Sequence, residues 1–360
     1  MASLVLNSWP VSPYSAKVRA YLRWKGADFD DRPPSVFALQ RRIQKAVGRA
    51  IMPTIEQPDG TWLQDSTEII DTLEGVLSGA SITPPGPRQR VVNLLLELHG
   101  DEWLPMVALH YRWNTPANKQ FALSEFARFG VPWLPAFLGR ALVKPVAAKM
   151  AGYLPVLGVD DTTIEGLEAF SIELMARLNV HFAAHRYLFG GRPAMADFAL
   201  YGPLWAHLYR DVATTELFGE FPHLVAWMER LRDGDMESTG AVPGEWLNGD
   251  EVPETLGPIL KTLLAEQGAY VEKVVDAVNA WCDQNPDAKR VPRSLGDTDF
   301  VVGGCSGQRR LITEQLWMIQ RPLDAMTPDI LDWLRSFGRL HWMPRHRVER
   351  RRFRVVLAGR

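Results

Sequence analysis

The sequence predicts an α+β protein, with a small mixed unit at the N-terminus, an all-helical region after it and a mostly helical C-terminal extension. Three observations support this order. Short strand patterns alternate with helical ones over residues 1–78, a turn-rich connector fills residues 79–88, and apolar residues at helical spacing dominate the rest. Because 360 residues are many for one domain, we expect an all-helical domain over 89–235 and a separate extension over 236–360.

The first strand pattern, Leu4–Leu6, leads through Ser12-Pro13-Tyr14-Ser15 into a helical pattern. A helix that begins there leaves its first backbone N–H groups without intrahelical partners, at the positive end of the helix dipole. A bound anion is stabilised at such a place, and a bound thiol loses its proton more readily. The four residues have the layout of a glutaredoxin Cys-Pro-Tyr-Cys turn with oxygens for sulfurs. Ser12 could therefore donate to the thiolate of a ligand, or it could be an ordinary N-cap.

The remaining elements of the first 78 residues complete a small mixed sheet. We expect a strand at Ala27–Asp30, a helix over Ser35–Val47, strands at Ile51–Ile55 and Trp62–Gln64, and a helix after Asp65. Pro53 cannot donate to a strand ladder, so it belongs at a strand start or in a cis turn. Asp65, with Glu68 three residues later, fits the reciprocal capping pattern. A βαβ unit, a hairpin and a helix form a thioredoxin-like order.

Composition narrows the class of protein. The formal net charge of −2 gives no reason to expect a nucleic-acid or membrane partner. The two cysteines, Cys282 and Cys305, and the eight scattered histidines argue against a disulfide scaffold and against a metal site. No basic region followed by an apolar run opens the chain, so no secretory signal is visible. We therefore expect a cytoplasmic protein without a metal or a nucleic-acid partner.

The later part of the chain is predicted to be mostly helical. We expect helices over Val91–Trp113, Thr163–Arg186, Leu256–Cys282, Arg309–Ile319 and Pro328–Phe337, with a short strand or loop at Phe300–Cys305. The most apolar stretch, Val131–Val159, is broken by prolines and basic residues. It predicts buried or interfacial helices and no membrane span. The end of the chain, Arg345–Arg354, is rich in arginine and could bind an anion or pair with acids of its own protein.

Four separated motifs, in this order, resemble those of the glutathione transferases. They are Ser12-Pro13-Tyr14 with Lys17-Val18-Arg19, then Met52-Pro53, then Asp65-Ser66, and finally the run Tyr187–Phe198. The resemblance covers roughly residues 1–235. It implies a thioredoxin-like glutathione-binding domain over 1–78 and the all-α glutathione transferase C-terminal domain over 89–235.

The resemblance also implies the roles of individual residues. Ser12 would activate the glutathione thiol, as in the serine-type, tau- or zeta-like classes. Met52, before a cis Pro53, would present its backbone to the cysteinyl part, and Asp65 and Ser66 would take the γ-glutamyl end. A tau-like pattern has a lysine where Ile51 stands. The glycyl carboxylate therefore needs another cation, for which the candidates are Arg41 and Arg49, with Arg42 and Lys45 nearby.

Glutathione would act as co-substrate, and an apolar electrophile would bind between the two domains. By the resemblance, aromatic and polar side chains near the cleft are candidates for lining its pocket: Trp9, Tyr14, Trp103, His110, Tyr111 and Trp113. Core packing is the alternative for each of them. The Asp197 carboxylate would be structural, accepting backbone N–H groups near the start of a buried helix.

The predicted function is a glutathione transferase with a role in detoxification. A lyase, an ether-cleaving enzyme or a dehalogenating enzyme could use the same thiolate on another leaving group. A non-catalytic binding or scaffold protein is the alternative from another class, favoured by the long extension. The extension should pack on the body, either over the cleft or over the face through which such folds dimerise, and a homodimer stays open.

Overall fold

The computed structural model describes residues 3–234, 244–288, 291–313 and 316–338. The arginine-rich segment Arg345–Arg354 lies outside the described residues. Over the first 78 residues the elements are β1 (Leu4–Asn7), α1 (Pro13–Trp24), β2 (Phe29–Arg32), α2 (Val36–Ala38), a π-helical segment (Leu39–Ile43), α3 (Gln44–Val47), β3 (Thr54–Glu56), β4 (Trp62–Gln64) and α4 (Ser66–Glu74).

The four strands form one mixed sheet in the order β2-β1-β3-β4. β1 pairs with β2 in parallel, across the α1 crossover, and with β3 in antiparallel fashion. β3 and β4 form an antiparallel hairpin. This βαβ unit followed by a hairpin confirms the thioredoxin-like order predicted from the sequence.

The helical domain begins after the connector. Its elements are α5 (Pro87–Leu98), a π-helical segment (His99–Trp103), α6 (Leu104–Asn114), α7 (Pro116–Gly130), α8 (Ala136–Ala151), α9 (Ile164–Ala184), α10 (Met195–Pro203), a second π-helical segment (Leu204–Tyr209) and α11 (Pro222–Asp233). α10 is buried along its length and packs on α1 and α5, so it joins this domain to the sheet domain.

Asp197 holds the start of α10, because Ala194 in the N-cap position has no side-chain oxygen. Its carboxylate accepts the N–H groups of Ala194 at 2.8 Å and Leu188 at 3.2 Å, and the indole N–H of Trp227 at 2.9 Å. Burial raises the pKa of Asp197 to about 7, against the lowering effect of these three donors. The contacts agree with the structural role that the resemblance implied.

The described part of the extension contains four α-helices and one hairpin. They are α12 (Gly257–Ala265), α13 (Gln267–Gln284), β5 (Ser294–Val302), β6 (Cys305–Ile312), α14 (Leu316–Ala325) and α15 (Pro328–Leu334). α12 packs on α9, α13 on the hairpin, and α14 on α5. The apolar residues Leu260, Val271 and Val278 are buried there.

Two of the sequence predictions for the extension are wrong in detail. The helix expected over Leu256–Cys282 is broken at Glu266, where Gln267 turns inward to bond with His99 Nδ1 at 2.8 Å. The segment from Arg309, predicted to be helical, continues β6 and becomes helical only at Leu316. Gly303 and Gly304, both at positive φ, form the two-residue turn that makes the hairpin.

Candidate active site

Three loops meet at one edge of the N-terminal sheet. Asn7, the last residue of β1, pairs with Thr54, the first residue of β3, which in turn pairs with Gln64, the last residue of β4. The loop to α1, the segment before β3 and the start of α4 therefore leave the sheet side by side. The register brings the Ser12 loop, the Met52–Pro53 bond and the Asp65–Ser66 pair to the same edge.

Ser12 is the N-cap of α1. It has extended backbone angles, and its Oγ accepts the N–H of Ser15 at 3.2 Å, while Pro13 occupies the first helical position. The side chain is half-buried. Among the described residues, the Ser12 hydroxyl donates to no protein acceptor. Its proton is therefore free to point at a ligand atom placed at the N-terminus of α1.

Arg112 on α6 clamps the loop that presents Ser12. Its guanidinium is buried and donates to the backbone oxygen of Val11 at 2.7 Å and to that of Ala206 at 2.6 Å. The Asp211 carboxylate binds the same group at 2.8 and 2.6 Å. The negative charge of Asp211 offsets the cost of burying Arg112. The other donors of Arg112 hold Val11, the residue before Ser12, in place. Sequence reasoning missed Arg112, although an arginine between Tyr111 and Trp113 in an apolar helix was a visible signal.

Close packing fixes the first turn of α1 from a second side. Gly202 on α10 approaches so closely that a Cβ there would lie 2.6 Å from the carbonyl oxygen of Pro13. The hydroxyl of Tyr14 donates to the carbonyl oxygen of Asp101 at 2.9 Å, and its burial raises the pKa of Tyr14. Tyr14 thus ties α1 to the helical domain.

A buried charge cluster, also missed from the sequence, lies behind α1. Lys17 Nζ is 2.6 Å from the Asp101 carboxylate, 3.3 Å from that of Glu97 and 2.9 Å from Thr67 Oγ1. Burial acts to lower the pKa of Lys17, but the two carboxylates outweigh it and the pKa lies above its ordinary value. Arg321 from α14 approaches Glu97 at 3.3 Å, so the extension contributes to the same cluster.

The Met52–Pro53 bond is cis, as the resemblance implied. Asp65 caps α4, accepting the N–H groups of Thr67 at 3.0 Å and Glu68 at 3.4 Å. Its φ of 70° is rare for a residue with a side chain, and such backbone is found mainly where a site holds it in place. Asp65 is exposed and Ser66 is buried beside it. A carboxylate group of a ligand bound beside Ser66 would lie at the positive end of the α4 dipole.

The four basic residues between β2 and β3 differ in their partners. Arg42 forms an ion pair with Glu56 and lies over the ring of Trp62. Arg41 is exposed and lies over Phe37, with its guanidinium carbon 5.8 Å from the ring centroid. Arg49 is exposed as well. Within the described ranges, neither Arg41 nor Arg49 has a carboxylate partner, so both can receive one from a ligand.

Most of the residues predicted to line an electrophile pocket are packed. Trp9 is 5% exposed, donates its indole N–H to Pro34 at 2.8 Å and lies 5.4 Å from the ring of Phe126. Trp113 packs edge-on against the same phenyl ring at 5.9 Å. Trp9 and Trp113 thus form one aromatic cluster between the Ser12 loop and α7. Their role as pocket walls stays a prediction.

The other three pocket candidates, His110, Tyr111 and Trp103, contact α9 or the extension. His110 Nε2 is 3.0 Å from a carboxylate oxygen of Glu168, and the hydroxyl of Tyr111 is 3.0 Å from Ser171 Oγ, so both bind to α9. Trp103 is buried under the extension. Its ring faces the guanidinium of Arg309, whose carbon lies 4.9 Å from the ring centroid, and Arg309 donates to the carbonyl oxygen of Glu102 at 2.8 Å. A binding role for these three residues also stays a prediction.

Two kinds of feature are absent from the described residues. No helix there combines the length and the apolar character that crossing a bilayer requires. No three histidine, cysteine, aspartate or glutamate side chains in the same ranges come together as a metal site.

Comparison with known proteins identifies both domains. Residues 6–79 match the family described as the N-terminal domain of glutathione S-transferase, and residues 172–230 match its C-terminal domain. No curated protein sequence matches the chain.

Similar solved structures cover about two thirds of the chain. A glutathione S-transferase from Rhodospirillum rubrum F11 is 15% identical over 69% of this chain and 96% of its own, with a TM-score of 0.43. The beta-etherase LigF from Sphingobium sp. strain SYK-6 is 21% identical over 66% and 99%, with a TM-score of 0.43. A glutathione S-transferase from Methylobacterium radiotolerans JCM 2831, in complex with glutathione sulfonate, is 20% identical over 70% and 100%, with a TM-score of 0.42.

The two family matches lie in the order that the four sequence motifs implied, on a thioredoxin-like sheet domain and a helical domain. Residues 6–79 are therefore similar to the N-terminal domain of glutathione S-transferase, and residues 172–230 are similar to its C-terminal domain.

Proposed function

We propose that the protein transfers glutathione to an apolar electrophile, with Ser12 as the residue that activates the thiol. One observation carries the proposal. The Ser12 hydroxyl, the cis Met52–Pro53 bond and the N-terminus of α4 at Asp65 share one edge of the sheet, where a tripeptide could touch all three. The hydroxyl proton is free, and the start of α1 favours negative charge on a sulfur placed there.

The proposed reaction needs little from the protein beyond charge stabilisation and positioning. The thiol releases its proton to solvent, and the Ser12 hydroxyl donates a hydrogen bond to the resulting thiolate. The sulfur lone pair then forms a bond to the electrophilic atom, and the electron pair of the broken bond leaves with the leaving group. Met52 would bind the cysteinyl backbone, Asp65 and Ser66 the γ-glutamyl end, and Arg41 or Arg49 the glycyl carboxylate.

The Ser12 assignment predicts a kinetic difference between two matched serine variants. Ser12→Ala should bind glutathione roughly as the wild type does but lose turnover, by about 10- to 1000-fold for one preorganised donor. Ser35→Ala is the control, because Ser35 caps α2 with the same bond, to the N–H of Ala38 at 3.2 Å. Equal losses in both variants, or none in Ser12→Ala, would reject Ser12 and direct attention to Ser15.

The packing of the pocket candidates favours one alternative, a non-catalytic glutathione-binding protein. Trp9, Trp103 and Trp113 are each nearly inaccessible to solvent, which leaves less room for a co-substrate than an open cleft would. Retention on immobilised glutathione, followed by assay with a panel of aromatic electrophiles, separates the two functions. Retention with turnover supports the transferase, whereas retention without turnover of any electrophile supports the binding protein. Release of a phenol or a halide would indicate the ether-cleaving or dehalogenating variant.

A further inference from the structure

α8 and the turn before it carry a concentration of exposed apolar side chains. Phe137 is 66% exposed, Leu142 57% and Trp133 54%. Phe37 from α2 joins them, because its ring stacks on that of Trp133 with the centroids 5.6 Å apart. Single exposed apolar residues are ordinary, but this many on one helix and the turn before it mark a surface that binds something. The group, here named the α8 patch, consists of Phe37, Trp133, Phe137, Leu138, Leu142 and Val146.

Only a narrow strip of α8 faces the protein. Gly139, Val143 and Ala147 are its buried residues, at a spacing of four. The contact with α7 is close, since a Cβ on Gly139 would lie 3.1 Å from that of Ala127. Leu138, Leu142 and Val146 repeat the same spacing on the neighbouring side, and the described part of the chain leaves them uncovered. The helix is therefore apolar well beyond the strip that its own fold buries.

The charged side chains of α8 are all basic. Residues 126–159 include no aspartate or glutamate, whereas Arg128, Arg140, Lys144 and Lys149 lie among them. No described carboxylate forms an ion pair with Arg140, Lys144 or Lys149. A depression of about 230 Å³ between α7 and α8 is lined by both Arg128 and Arg140. The segment that carries Phe37, residues 33–55, also lacks acidic residues.

We propose that the α8 patch docks on the surface of an anionic lipid bilayer. The aromatic and leucine side chains would enter the boundary between headgroups and acyl chains. Arg140, Lys144 and Lys149 would meet the lipid phosphates, as in amphipathic helices that lie in the membrane plane. A second copy of the chain fits less well, because a two-fold contact through this face would bring the same cations together. The inference does not rest on the chemistry at Ser12.

Vesicle binding by the full-length protein tests the proposal. The protein is mixed with vesicles of phosphatidylcholine alone, or with phosphatidylglycerol added, and the bound fraction is measured by co-sedimentation. We expect binding to the anionic vesicles, weaker binding to the neutral ones, and a loss of binding as salt rises. No binding to anionic vesicles at low salt would overturn the proposal.

Two variants separate the apolar and the charged contributions. The double variant Leu138→Gln/Leu142→Gln should lose most vesicle binding, because it removes inserted side chains from an exposed face. Lys144→Gln should weaken partitioning roughly 5-fold, the effect of about 1 kcal/mol per basic residue near an anionic surface. Val180→Gln, at an apolar residue of α9 that is 62% exposed, is the control and should bind as the wild type does.

Three further results would decide whether the α8 patch docks on a bilayer. Wild-type vesicle binding by the double leucine variant, or an equal loss in the Val180→Gln control, would contradict docking through α8. A different result would assign the patch to a second copy of the chain. In that case the protein does not bind vesicles, light scattering shows a dimer in solution, and the leucine substitutions abolish the dimer. Unchanged thermal melting of each variant shows that a loss of binding is not a loss of fold.

Discussion

At the scale of single residues, the candidate site depends on groups that the sequence shows and on groups that it hides. The Ser-Pro pair and the capping aspartate stand in the sequence beside a helix start, so Ser12 and Asp65 could be predicted from local patterns alone. Arg112 and Lys17 could not be predicted in this way, because their partners are distant in sequence. Arg112 binds to Val11 and Asp211. Lys17 binds to Glu97 and Asp101. A buried charge is understood only once its counter-charge has been located.

Asp65 should contribute its charge to glutathione binding. Asp65→Asn keeps an oxygen that can cap α4, and asparagine tolerates the positive φ of this position, so the helix start should survive. Loss of the charged partner should weaken binding by about 1.5–3 kcal/mol, or roughly 10- to 150-fold. Calorimetry measures this directly. Asp59→Asn, which changes an exposed aspartate in the β3–β4 turn, is the control, and equal affinities in both variants would remove Asp65 from the site.

Arg112 should act as a positioning residue. Arg112→Lys keeps the charge opposite Asp211, but a single ammonium cannot reproduce the four bonds that leave from three separate guanidinium nitrogens. The Ser12 loop should loosen, and kcat should fall by up to about 100-fold while the affinity for glutathione changes little. Arg177→Lys makes the same substitution at a contact to α12 and serves as the control. A change confined to thermal stability, with kcat intact, would show that the clamp is only structural.

At the scale of elements, the secondary-structure predictions were right where local sequence determines the element and wrong where tertiary contacts determine it. The β5–β6 hairpin was missed because β6 carries Arg309 at an inward position, where an apolar residue would mark a strand. The arginine is buried there by its contacts with Trp103 and Tyr270. Gly303-Gly304 was the signal for the turn. The break between α12 and α13 depends on the bond from Gln267 to His99, which no local pattern reveals.

The contact between α13 and the helical domain should weaken in acid. Burial lowers the pKa of His99 to about 4, against the raising effect of its bond to Gln267, while an unfolded chain gives about 6.5. Between pH 4 and pH 6.5 the unfolded state therefore binds a proton at His99 that the folded state does not bind. The stability from neutral His99 is complete above pH 6.5 and is lost as the pH falls toward 4, by about 3 kcal/mol.

Unfolding in urea at several pH values checks this dependence. In His99→Gln the free energy of unfolding should fall less steeply between pH 6.5 and 4, because the chain takes up one proton fewer on unfolding. His181 and His207, whose pKa values burial also lowers, should keep the rest of the slope. A parallel, merely shifted profile in His99→Gln would contradict the assignment.

At the scale of the whole molecule, the extension joins the body away from the Ser12 loop. It lies against α5, α9 and the π-helical segment His99–Trp103, and through Arg321 it reaches Asp71 on α4 at 2.6 Å. Whether the extension also borders the cleft stays a prediction. The sequence indicated that the extension must pack, because an amphipathic helix needs a partner, but it held no information about which surface would receive it.

The central claim is that a serine hydroxyl at the start of α1 holds the glutathione sulfur as a thiolate, and one titration tests it. The ultraviolet absorbance of the thiolate is followed against pH for glutathione bound to the wild type and to Ser12→Ala. We expect the bound thiol of the wild type to have a pKa well below that of free glutathione, and the variant to return it toward the free value. An equally low pKa in both proteins would contradict the account.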